Sequence, residues 1–154
     1  MNPTDGTIAE IGATGYQMTF GLAYDPLTDT IYGVGRQNVG DTANLLLEID
    51  RTNGSVTPIG DGIEGLLGTS GLAFDPIERR VIAFGNTDDL VVAFELNGTA
   101  TQLSDLDGIT TFGLTYTNQG FVYSGFGTTP DPNDIDPDTN RCPWPGRSSF
   151  RRYA

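Results

Sequence analysis

Apolar and polar residues alternate along most of this chain, in short runs bounded by clusters of Gly, Pro, Asp, Asn and Thr. A period of two places successive side chains on opposite faces of an extended backbone, so each run predicts a strand. The runs fall at 7–12, 19–24, 30–35, 45–50 and 55–60, then at 69–74, 80–85, 91–96 and 99–104, then at 112–116 and 121–125. No stretch carries the 3.6-residue period of a helix.

The runs repeat. Phe20-Gly21-Leu22-Ala23-Tyr24-Asp25-Pro26 returns as Ser70-Gly71-Leu72-Ala73-Phe74-Asp75-Pro76, and in weaker form as Phe112-Gly113-Leu114-Thr115-Tyr116-Thr117-Asn118. The three glycines are 50 and then 42 residues apart. A period of that size marks a β-propeller blade or a similar repeat. Residues 17–60 and 66–104 then form two four-stranded antiparallel units, 110–127 forms half of a third, and 1–127 is the repeat region. The run at 7–12 resembles 55–60 and 99–104, the last strand of each unit, so it reads as the final strand of an earlier unit. Turn signals precede it at Asn2-Pro3-Thr4-Asp5-Gly6, as they precede 55–60 at Asp50-Arg51-Thr52-Asn53-Gly54.

The repeated glycine fits crowding, because the first strands of such units converge and a side chain there would strike the neighbouring unit. Leu22, Leu72 and Leu114, with Tyr24, Phe74 and Tyr116, are expected to fill the layers between units. Asp-Pro after two of these strands ends them, with Pro setting φ and Asp bonding nearby amides.

The segments Gly-Leu-Ala-aromatic-Asp-Pro, Ile-Tyr-Gly-Val and Leu-Leu-Glu-Ile-Asp-Arg-Thr-Asn-Gly-Ser-Val-Thr-Pro-Ile-Gly resemble bacterial β-propeller repeats of the extracellular, WD40-like or quinoprotein-like kind. The resemblance covers 7–125. It implies an all-β, propeller-type fold, incomplete in one chain, and a parent protein that is secreted or periplasmic. Such repeats serve as scaffolds, ligand binders and, in a minority, enzymes, and none of their catalytic signatures is present here.

Composition narrows the chemistry. The chain has 154 residues, 20 acidic residues, eight Arg and no Lys or His. Residues 1–140 carry −16 and the last 14 carry +4. An acidic body repels nucleic acid and anionic membrane and favours cations or basic partners. Without His, a Ser-His-Asp or Cys-His arrangement cannot be built, and the commonest metal ligand is missing. The single Cys142 forms no internal disulfide. No run is apolar enough for a membrane helix, and no signal peptide is evident.

The remaining candidate chemistry is acidic. Asp134, Asp136 and Asp138 alternate as the opening ligands of a Ca²⁺ loop do. However, Thr139 stands where the sharp turn wants Gly, Pro137 stiffens the middle and no bidentate Glu follows. A solvated acidic linker is the competing reading. Asp88-Asp89 and Asp41 lie in equivalent loops, where turn chemistry also accounts for them. Arg79-Arg80 reads as a surface feature. Residues 128–154 read as an irregular tail, acidic and then basic, serving either as a docking segment or as sequence translated past the natural repeat.

A propeller closes with about four to eight blades. The chain supplies fewer, so a homodimer closing a six-bladed ring is expected, with 7–12 of each copy pairing with the 111–125 hairpin of the other. An open sheet stack or sandwich is the alternative. The function expected is a non-catalytic binding or assembly module. A Ca²⁺-dependent hydrolase or lactonase-like propeller and a gene fragment without evolved activity are the alternatives.

Overall fold

The computed structural model describes residues 2, 4–66, 68–85, 90–105, 109–117, 120–127 and 149–153. Among them the chain is all-β. The strands are β1 (Met18–Asp25), β2 (Thr30–Arg36), β3 (Ala43–Ile49), β4 (Val56–Glu64), β5 (Thr69–Asp75), β6 (Arg80–Gly85), β7 (Leu90–Glu95), β8 (Ala100–Asp105), β9 (Ile109–Thr117), β10 (Gly120–Gly127) and β11 (Ser149–Tyr153). They form two four-stranded antiparallel meanders, β1-β2-β3-β4 and β5-β6-β7-β8, and a three-stranded sheet ordered β11-β10-β9.

The sheets stack with equivalent strands side by side: β1 lies beside β5, β5 beside β9, and β4 beside β8. Two apolar layers hold the stack. In the first, Ala23, Tyr32, Val34 and Leu46 meet Leu72, Phe74, Val81, Ala83, Val92 and Phe94. The Tyr32 and Phe74 rings stack there with centroids 5.9 Å apart. In the second, Ile82, Phe84, Val91 and Ala93 meet Leu114 and Phe121. The middle sheet is apolar on both faces because it is covered on both. That is why Arg80-Val81-Ile82-Ala83-Phe84-Gly85 and Leu90-Val91-Val92-Ala93-Phe94-Glu95 lose the strict alternation of a half-buried strand.

The repeated glycine acts at the joint between sheets. A Cβ built on Gly21 would sit 2.7 Å from Leu72 Cδ1, and one on Gly71 would sit 2.7 Å from the Leu114 backbone nitrogen. Each first strand also carries a bulge at this point, the register skipping Gly21 in β1, Ser70 in β5 and Phe112 in β9. A bulge bends and twists its strand. A bulge at or next to the repeated glycine therefore recurs in each first strand.

Three expectations are corrected. Residues 7–12 are not a strand: they are exposed, and only the preceding turn forms, with Gly6 N–H donating to Asn2 C=O at 2.9 Å. Alternation alone does not make a strand where no neighbour supplies a ladder. Leu22 and Tyr24 do not fill a layer. They are 62% and 51% exposed, whereas Leu72 and Phe74 are each 5% exposed, because among the described residues no sheet lies over that face of the first sheet. Finally, the segment read as an irregular tail contains β11, which pairs antiparallel with β10 from Phe121 opposite Tyr153 to Gly125 opposite Ser149. Adjacent Arg151 and Arg152 hid its strand character.

Candidate functional site

The turns that follow β1 and β5 position the charged groups. Asp25-Pro26-Leu27-Thr28-Asp29 and Asp75-Pro76-Ile77-Glu78-Arg79 are equivalent, and each ends on a left-handed residue, Asp29 at φ 56° and Arg79 at φ 57°. A non-glycine residue pays a steric penalty in that conformation. The first Asp of each turn does what its position predicts. Asp25 accepts from Leu27 N–H at 2.9 Å and from the Thr28 hydroxyl at 2.6 Å. Asp75 accepts from Ile77 N–H at 3.0 Å and Glu78 N–H at 3.2 Å.

The arginines depart from the surface role expected of them. Arg79 crosses from the second sheet to the first and sets its guanidinium 2.8 Å from the fully buried carboxylate of Asp25. On the way it lies over the Phe74 ring, 5.1 Å from its centroid. Arg80 is largely buried and sits between Asp75 at 3.6 Å and Glu95 at 3.7 Å. Burial is the largest influence on Asp25 and disfavours its charge. The Arg79, Thr28 and Leu27 hydrogen bonds together outweigh it and hold the carboxyl below the usual range. The sequence signal for this bridge is slight: an Arg in the second turn at the place where the first has Asp.

Asp29 makes a different cluster. It accepts from the Tyr24 hydroxyl at 2.7 Å and pairs with Arg51 of the β3–β4 turn. The bond to Asp29 pushes the Tyr24 phenol above its usual range. Two shallow clefts meet at this cluster. One, of about 580 Å³, is lined by Glu48, Asp50, Arg51, Thr52 and Thr57 among others. The other, of about 430 Å³, is lined by Leu22, Ala23, Tyr24, Asp29, Ile31 and Arg51. The larger presents three carboxylates against one guanidinium, which suits hydrogen-bond donors and cations. The smaller offers apolar surface edged by that charge, which suits an apolar side chain.

A second polar feature lies at the start of β3. Asn44 is fully buried, and neither its Oδ1 nor its Nδ2 has a hydrogen-bond partner. The Thr69 hydroxyl, at the start of β5, is also buried without a partner. Sequence reasoning gave no warning of either.

Among the described residues, no group of three His, Cys, Asp or Glu side chains is placed to hold a metal ion. Asp134, Asp136 and Asp138 lie outside the described residues, as do Asp88, Asp89 and Cys142. Asp41 is described, and its carboxylate accepts from Asn38 N–H at 2.8 Å, which is turn chemistry. No described helix is long and apolar enough to cross a membrane. A scan against protein-family models gives no match, and neither does a search of the curated proteins.

Proposed function

We propose that the chain is a non-catalytic, propeller-type repeat module for binding or structural assembly. The observation that carries this reading is the joint between sheets: glycine of one first strand against leucine of the next, at Gly21–Leu72 and again at Gly71–Leu114, each beside a bulge. A contact that recurs from unit to unit propagates a constant turn, and a constant turn wraps sheets around an axis. The chemistry of the uncovered face fits docking. It combines exposed Leu22 and Tyr24 with the Asp29–Arg51 pair, an apolar patch edged by charge.

The test is to incubate the folded protein with ester and lactone substrates and to record its melting, each with and without millimolar Ca²⁺. The expected result is no turnover in either condition. Ca²⁺-dependent turnover that EDTA abolishes would overturn the reading in favour of a hydrolase.

A further inference from the structure

We infer that residues 7–12 form the outermost strand of the β9–β11 sheet in a second copy of this chain, so that two copies close one ring of six sheets. This rests on the propeller-type reading above and names its partner and its joint.

The argument begins with two matching close approaches. A Cβ built on Gly60, in β4, would strike the backbone of Gly98 in the β7–β8 turn. A Cβ built on Gly12 would strike the backbone of Asn53 in the β3–β4 turn, and one on Gly54 would come 2.9 Å from Gly12. Ile11-Gly12 and Ile59-Gly60 are equivalent in the repeat, as are Asn53-Gly54 and Asn97-Gly98. Residues 7–12 therefore lie against the first sheet as β4 lies against the second. Since β4 is the outermost strand of the preceding sheet, 7–12 holds the place of an outermost strand, and among the described residues no strand pairs with it.

The opposite end of the stack has the complementary deficit. The third sheet has three strands, and among the described residues β11 pairs on one side alone. Its equivalents in the other sheets, β3 and β7, each carry a further strand. Within one copy 7–12 cannot reach β11, because Gly12 is held at the first sheet and the second sheet stands between the first and the third.

Two further observations favour a second copy. On the face of the first sheet turned away from the second, Leu22 is 62% exposed where its equivalent Leu72 is 5% exposed. A third sheet placed before it would cover it as the first sheet covers Leu72. Charge also matches: the incoming segment carries Glu10, with Asp5 in the turn before it, and β11 carries Arg151 and Arg152. Ile8 and Ile11, 82% and 60% exposed, would gain cover in the joint. Strand addition to an open edge supplies main-chain bonds that neither partner otherwise makes.

The test uses the full chain in light scattering after gel filtration, with hydrogen exchange read by mass spectrometry. The expected mass is twice 16.4 kDa. Exchange at 7–12 and 149–153 should be slowed at least about tenfold relative to the variant Ala9→Pro, in which the incoming strand loses an amide donor. Ala9→Pro and Leu22→Arg both alter exposed positions, so each should give a monomer with its near-ultraviolet circular dichroism retained. A wild-type monomer, or a dimer that survives both substitutions, overturns the inference. If the wild type is monomeric while Gly71→Ala still lowers the melting temperature, the joint falls and the repeat stack stands. If Gly71→Ala leaves melting unchanged, the stack itself falls and the inference with it.

Discussion

Arg79 reaches out of the second sheet to Asp25 in the first, 54 residues earlier, and its guanidinium nitrogen lies 2.8 Å from a carboxylate that has no solvent exposure. The two turns carry equivalent residues, yet one ends on Asp and the other on Arg. The bridge clamps the first apolar layer at its edge, beside Phe74. Arg79→Met keeps the left-handed backbone and most of the stem but strands the buried charge, and the expected cost is about 2 kcal/mol. Chemical denaturation measures it.

The same pair sets an acid limit. The folded Asp25 carboxyl titrates below its unfolded value of about 3.9. Its contribution is therefore present above roughly pH 4 and is lost as pH falls through the lowered folded value. Asp25→Asn should be less stable at neutral pH and show a flatter decline in acid. Melting followed from pH 7 to pH 2 checks both.

Gly71 tests the crowding between first strands. A methyl group there meets the Leu114 backbone at 2.7 Å, where no side-chain rotation relieves it. Gly71→Ala should cost about 1–3 kcal/mol. Gly40→Ala is the control, since a Cβ there meets nothing within 4 Å, and it should be neutral or slightly stabilising.

Asn44 buries an amide with neither end bonded within the chain. Replacing such a group with an apolar one of similar shape removes a desolvation cost. Asn44→Leu should therefore leave stability unchanged or raise it by about 1 kcal/mol. A loss of more than about 2 kcal/mol would mean that ordered water or another guest bonds the amide.

Tyr24 and Tyr32 should both ionise late, for different reasons. Asp29 accepts the Tyr24 hydroxyl bond, whereas burial is the main influence on Tyr32. Asp29→Asn should bring Tyr24 down and leave Tyr32 late. Titration followed by absorbance at 295 nm, with Tyr24→Phe to assign the signal, separates them.

Much of the fold is legible in the alternation. The ten strands β1 to β10 overlap the runs read from the sequence: alternation and tight turns mark most of them, while β6 and β7, covered on both faces, are marked by short apolar runs between turns. The positions of β11 and 7–12 were not legible, because a strand also depends on whether a neighbour offers it a ladder. Repeat equivalence suggested that Tyr24 and Phe74 share an environment, but burial depends on which sheet faces them, and among the described residues no sheet faces Tyr24. The site was less legible still. Asp25 announces its own turn, but its bridge to Arg79 depends on the packing of two sheets, and nothing local encodes that.

The stacking of β1 on β5 is the claim on which the rest stands, and a disulfide trap tests it most directly. A Cβ built on Gly21 lies 3.3 Å from Leu72 Cβ, within a few tenths of an ångström of the separation a disulfide spans. Gly21→Cys with Leu72→Cys, in a Cys142→Ser background, is oxidised and digested without reduction. The account predicts one intramolecular cross-link joining the peptides of β1 and β5. Two thiols that stay free, or links formed between chains alone, would contradict it.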